Sequence, residues 1–260
     1  MENAIIENLN SNIIFEGMTT ISALISALDA KTNCRTIVKV LFDKDKKSSK
    51  SRELAFLKIK AKQHNFELSI VSKDEINALA NGTTHGGIIA ICSERDIPSL
   101  SAELIKKDGV YYMFEGIEDP FNFGYVIRSV YAAGADGIIM NPRNWLSAAA
   151  VVAKSSAGTS ELIDMFVCDS SEAVDIFKSL GFTVVCAGIR DSETVYEADL
   201  KKPLLVIIGG EKRGISRAIL DKADKIVRID YGRNFNGSLP SVAATSIISF
   251  EILRKNSELN

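Results

Sequence analysis

The run Leu204 to Ile208 is five apolar residues long, enough for a buried strand and too short for a helix. Gly209 and Gly210 follow at once, where the lack of a Cβ lets the backbone turn sharply or approach a ligand. Glu211, Lys212 and Arg213 put charge at that turn, Gly214 breaks the chain again, and Ser216 is placed to cap a helix over 217–223. Strand, glycine turn and helix predict a ligand site at the carboxyl end of a strand in an α/β domain. A plain tight turn would use the same glycines.

The same reading extends along the chain. Up to residue 95 the pattern predicts helices over 20–28, 53–64 and 73–80 and strands over 36–42, 66–71 and 86–93, a small α/β domain. Residues 96–108, within a polar stretch that carries Pro98, predict a linker. From 109 to 260 strands and helices alternate across short turns, which predicts a second α/β domain with a mainly parallel sheet covered on both faces. Its strands are expected over 110–114, 137–140, 162–168, 182–187, 204–208 and 225–229. Asn122 is placed to cap a helix ending before Gly134, another helix is expected over 145–154, and Asp169 begins a third. The final helix, 242–253, carries more apolar residues than one buried face needs.

Charge adds one local feature. The net charge of -2 predicts no general attraction to nucleic acid, so any basic surface must be local. Lys44, Lys46, Lys47, Lys50, Arg52, Lys58, Lys60 and Lys62 crowd one short segment. That tract is either a solvated face or a surface for the phosphate backbone of a nucleic acid, with Lys46, Lys47, Lys50 and Arg52 as the candidate contacts. Cys34, Cys92, Cys168 and Cys186 form no C-x-x-C pair and read as buried small hydrophobes in a reducing, cytoplasmic setting. There is no membrane-length apolar run, and the acidic N-terminus does not resemble a signal peptide. His64 and His85 lie far from the glycine turns, so neither a metal site nor a Ser-His-Asp triad is expected.

Three stretches fall in order along the second half. They are Asp119-Pro-Phe-Asn-Phe-Gly-Tyr-Val-Ile-Arg-Ser-Val-Tyr-Ala-Ala-Gly134, Ile208-Gly-Gly-Glu-Lys-Arg-Gly-Ile-Ser216, and Ile229 with Ser238-Leu239 and the helix after it. Together with Ser155-Ser-Ala-Gly158 they resemble the SpoU/TrmH family of RNA ribose 2′-O-methyltransferases. The first half resembles, more loosely, the family's ribosomal-protein-like substrate-binding domain, with Thr84-His-Gly-Gly87 near its end.

The resemblance implies a knotted methyltransferase domain that binds S-adenosyl-L-methionine and forms a homodimer through the C-terminal domain. It places the cofactor against Ala187, Gly188, Gly209, Ile229, Ser238 and Leu239. Asn122, Arg128, Glu211 and Ser238 match the family's catalytic polar positions. Arg128 would sit beside the reacting ribose hydroxyl. One departure stands out: the family's S-L-N reads Ser238-Leu239-Pro240 here. That leaves a non-catalytic RNA-binding homologue as the alternative, and an unrelated α/β nucleotide-binding regulator as a third reading.

Overall fold

The computed structural model describes residues 13–142, 148–210 and 212–257. Among them the chain divides into two compact units. One reaches to Asp96 and takes in the later segment that ends at Leu162; the other starts at Ile97 and resumes at Ile163.

The first unit begins with β1 (Ile13–Glu16), α1 (Met18–Ala30), β2 (Ile37–Asp43), α2 (Ser51–His64), β3 (Glu67–Val71), α3 (Lys73–Leu79) and β4 (Ile88–Cys92). Its sheet runs β1-β4-β2-β3, parallel only between β2 and β3. Phe15, Ile21, Ile25, Leu57 and Ile88 pack between helices and sheet. The helix ends follow local chemistry. Asn65 closes α2 in the left-handed region, which its short polar side chain tolerates. Ser72 and Glu75 form a reciprocal capping box on α3, at 3.3 and 2.8 Å.

The second stretch of chain carries β5 (Val110–Glu115), α4 (Pro120–Ala132), β6 (Gly137–Met140), α5 (Ala149–Ser155), β7 (Asp164–Val167), α6 (Ser170–Ser179), β8 (Thr183–Ala187), β9 (Glu193–Thr194), β10 (Leu204–Gly209), α7 (Arg217–Leu220), β11 (Lys225–Arg228) and α8 (Ser241–Ser257). Its sheet has seven strands in the order β7-β6-β5-β10-β8-β11-β9, parallel throughout. β10 is flanked by β5 and β8 and buried on both faces from Leu204 to Ile208. That is why its sequence is a continuous apolar run and not an alternating one.

Residues 97–108 pack onto this unit. Leu100 and Ile105 lie in its core, and Val167 exchanges backbone hydrogen bonds with Pro98 and Leu100, 2.9 Å each. The polar composition of that stretch hides its two apolar anchors.

The helix expected from Trp145 is described from Ala149, since 143–147 lie outside the described residues. This α5 belongs to the first unit. Gly158, at φ 86°, passes so close to Ala23 that a side chain would collide with it. Arg35 Nε meets Glu161 Oε2 at 2.8 Å with both side chains 4% exposed. The Arg35 guanidinium also lies 4.8 Å from the Phe15 ring centre. Lys154 Nζ donates to Glu16 at 2.7 Å. Burial alone would raise the Glu16 carboxyl, but the bonds from Lys154 and the Gly82 N–H outweigh it and hold the group below its usual range. A lowered native pKa makes this a stabilising pair at neutral pH that fades in acid.

Three local expectations are corrected. The cap of α4 is Asp119, not Asn122; the Asp119 carboxylate accepts from the Asn122 N–H at 2.9 Å, with Pro120 at the first helical position. Ser216 makes no side-chain cap, and α7 is only four residues long. Cys34 is exposed, its sulfur hydrogen-bonded with the Asp96 backbone. Cys92, Cys168 and Cys186 are buried, and burial pushes their thiols up to about 12, 11 and 12.

Candidate functional site

The carboxyl edge of the parallel sheet gathers several of the residues singled out in the sequence. On β10, Gly209 stands in register with Glu115 of β5, and the Gly210 N–H donates to the Glu115 carbonyl at 2.6 Å. On the other side of β10, β8 ends at Ala187, in register with Val227 of β11; the Gly188 N–H donates to the Val227 carbonyl at 2.9 Å. Ile229 follows directly. So Ala187, Gly188, Gly209 and Ile229 come from the ends of three strands that are neighbours in the sheet, and all four are half-buried.

The glycine pair has a steric cause. A Cβ on Gly209 would lie 2.6 Å from the Gly214 carbonyl carbon, and one on Gly210 would run into the Gly116 carbonyl. The loop after β10 folds back on itself and onto the turn after β5, held by Gly214 N–H to Gly210 O at 3.1 Å and Ser216 N–H to Glu115 Oε2 at 3.1 Å. Close backbone approach therefore requires both glycines. Glu211, inside this loop, lies outside the described residues. Lys212 pairs with Glu118 at 2.9 Å, an exposed contact worth little.

The segment leading into α8 closes on the same edge. Ser241 Oγ donates to the Gly209 carbonyl at 3.1 Å, and the Leu239 N–H donates to the Tyr231 hydroxyl at 3.2 Å. Leu239 is half-buried, Ser238 exposed. The Pro240 carbonyl accepts from the Ala244 N–H at 3.0 Å, so proline immediately precedes the helix and leaves its first turn intact. The lining at the strand ends is small, apolar and half-exposed. Such a lining fits an adenosyl group held largely by backbone atoms.

Asn122 and Arg128 both lie on α4, which packs against α8; Ser129 Oγ and Ser246 Oγ share a hydrogen bond of 2.8 Å there. Asn122 is half-buried. Arg128 is exposed and makes no ion pair or hydrogen bond through its side chain with any described residue. A guanidinium kept solvated and unpaired is available for an anionic ligand.

The basic tract lies in the first unit. Lys60 is neutralised by Asp29 at 2.7 Å. Lys46, Lys47, Lys50 and Arg52 make no ion pair with any described residue. Their loop has a built floor: Asp43 is buried, its carboxylate accepts from the Asp45 N–H at 2.9 Å, and its own N–H donates to the Gly87 carbonyl at 2.8 Å. His85, 5% exposed, fixes that floor. Its Nδ1 accepts from the Gly87 N–H at 3.0 Å, which leaves the proton on Nε2 to donate to Asn77 Oδ1 at 3.1 Å. Sequence reasoning did not predict these roles of His85, Tyr231 and Ser241. His85 carried a signal in the glycine pair beside it; Ser241 carried none. Among the described residues no cluster of His, Cys, Asp and Glu could hold a metal ion.

Comparisons with known proteins agree on one family. Residues 109–250 match the SpoU rRNA Methylase family, and residues 21–98 match the RNA 2′-O ribose methyltransferase substrate-binding family. A Staphylococcus haemolyticus protein named for the TrmH family of tRNA/rRNA methyltransferases is 29% identical over 204 residues, covering 76% of this chain and 82% of the relative. The fold is shared with an AdoMet-bound rRNA methyltransferase from Sinorhizobium meliloti, at TM-score 0.76 and 21% identity over 94% of this chain and 88% of that one. It is also shared with the SpoU methyltransferase AviRb from Streptomyces viridochromogenes in complex with AdoMet, at 0.74 and 20% over 95% and 91%.

Proposed function

The chain belongs to the SpoU rRNA methylase family, and from that premise we propose that it transfers a methyl group from S-adenosyl-L-methionine to a ribose 2′-hydroxyl of ribosomal or transfer RNA. The observation that supports this best is the edge where β8, β10 and β11 end side by side, with the segment into α8 tied to Gly209 by Ser241. Ala187, Gly188, Gly209, Ile229, Ser238 and Leu239 would hold the cofactor, which supplies an electrophilic methyl group when bound. A 2′-hydroxyl is a poor nucleophile, so the protein must orient it and stabilise the charge that develops on its oxygen. Arg128 is the residue for that work. A guanidinium stays protonated, so its role is to grip the neighbouring phosphate and the developing alkoxide, not to act as base. Asn122 and Glu211 would orient Arg128 and the loop.

Titration calorimetry with S-adenosyl-L-methionine and mapping of 2′-O-methyl groups in ribosomal and transfer RNA from a deletion strain test this reading. Cofactor binding together with the loss of one methylated nucleotide is expected. Pro240 favours a second reading, an RNA binder without catalysis; binding of RNA with no affinity for the cofactor would select it.

The first unit is the proposed RNA-binding domain. Replacing Lys46, Lys47 and Lys50 by Gln is expected to weaken RNA binding and flatten its salt dependence, by roughly 0.7 to 0.9 in the log-log slope per lost phosphate contact. An unchanged slope would make the tract a solvated face. A homodimer through the second unit goes with the same reading. Phe121 and Tyr125 on α4 and Phe250 and Leu253 on α8 leave large apolar surface exposed on two helices that pack together. A monomer mass by light scattering at micromolar concentration would rule it out. The knotted connection and a cytoplasmic location belong to this proposal as well; among the described residues no helix is long and apolar enough to cross a membrane.

A further inference from the structure

The loop between β11 and α8 carries two aromatic rings that the core does not use. Phe235 is 55% exposed and Tyr231 37% exposed, in T-shaped contact with centres 5.6 Å apart. Exposed rings on a loop are costly in water, and the residues beside them in the loop, 232–234 and 236–238, carry no other apolar side chain. Arg233, Asn234, Asn236 and Ser238 around them are exposed and polar. A protein-binding surface would need a wider apolar area than two rings in a polar loop.

The pair is nevertheless held in place. The far end of the Phe235 ring occupies the space where a side chain on Gly237 would stand. Tyr231 supports Phe235 from the side, and its hydroxyl accepts the Leu239 N–H at 3.2 Å. The rings are thus tied mechanically to Ser238 and Leu239. Arg233, in the same loop, makes no ion pair with any described residue. A supported, solvent-facing aromatic plane beside an uncompensated arginine is what an unpaired nucleobase and its phosphate require, because single-stranded RNA is read by splaying bases onto aromatic faces.

We propose that Phe235, braced by Tyr231 and Gly237, is a stacking platform for an unpaired base of the RNA substrate, with Arg233 on the adjoining phosphate. The inference rests on the methyltransferase reading above and adds to it a base-recognition subsite on the loop that enters the cofactor edge. It implies that the target ribose lies in or next to a single-stranded segment, since a base stacked in a duplex could not reach the ring.

The test uses the full chain with unmodified ribosomal and transfer RNA transcripts as probe. Phe235→Ala and Phe235→Leu are expected to raise KM for RNA by about five- to a hundredfold, while Phe235→Tyr, which keeps the ring, stays close to the parent. Affinity for S-adenosyl-L-methionine should be unchanged in all three. The proposal is overturned if the alanine variant matches the parent. It is also overturned if leucine serves as well as phenylalanine, which would mean apolar contact without stacking, or if cofactor affinity falls in step, which would make the ring a cover for the cofactor. If the parent itself transfers no methyl group, the functional reading fails and stacking is read by binding alone. Phe235→Trp should then show indole fluorescence quenched by the same transcripts beyond any change in the parent, and an absence of quenching overturns the platform.

Discussion

Arg128→Ala is expected to lower methyl transfer by about a hundred- to a thousandfold while cofactor affinity stays within about twofold, because the loss falls on charge that appears only in the transition state. The side chain is exposed, unpaired among the described residues and carried on a helix whose core positions are Phe123, Val126, Ile127 and Val130. Truncating it therefore removes no packing, and thermal stability should not move. Arg128→Lys keeps the charge but not the planar two-pronged donor, so it should fall between parent and alanine. The decisive measurement is kcat at saturating RNA beside calorimetry with S-adenosyl-L-methionine. Activity within a few-fold of the parent would leave Arg128 an ordinary surface arginine.

The largest stability effect is expected at Glu161. Its carboxylate meets Arg35 at 2.8 Å in a nearly dry site, while its carbonyl accepts from Asn33 Nδ2 at 2.8 Å. Arg35 also donates to the Ser93 carbonyl at 2.6 Å. Glu161→Ala would strand the guanidinium without a counter-charge, at a cost of about 3–5 kcal/mol. Joint replacement by Arg35→Met and Glu161→Leu should recover most of that, since both charges of the pair are then gone. Urea unfolding of the three proteins checks this. A single-variant loss below about 1 kcal/mol would mean that water reaches the pair and screens it.

The parallel sheet was legible because strands buried on both faces are written as unbroken apolar runs, and Leu204 to Ile208 is the plainest of them. The order of the strands was not legible. Pairing of β10 with β5 and β8 joins residues distant in sequence, and nothing local encodes it. The glycines after β10 fit a turn or a ligand approach on sequence alone; both are required by backbone packed on backbone, at Gly214 and Gly116. Asn122 looked like a cap, yet Asp119 followed by Pro120 is the stronger local signal. Residues 96–108 read as a linker because polar residues outnumber Leu100 and Ile105, although two apolar anchors suffice to dock such a stretch. Of the candidate site, the strand-end residues could be placed by pattern plus family resemblance. Phe235 could not, because an aromatic in a glycine-rich loop has no periodicity to betray its use.

The position of β10 also governs how the molecule comes into being. Its two flanking strands are made first, and Gly209 can join Glu115 and complete the middle of the sheet only after the intervening chain has been synthesised. At about 5–20 residues per second that interval lasts several seconds. Through that interval β5 waits with an open edge, and β8 adds a second one near its end, the state in which strands pair with the wrong partner. Pairings of such long sequence separation are also the slow ones to form. The enzyme's vulnerable period is therefore on the ribosome, and variants that weaken β10 should show themselves first as lost yield, before any loss of activity in the protein that survives.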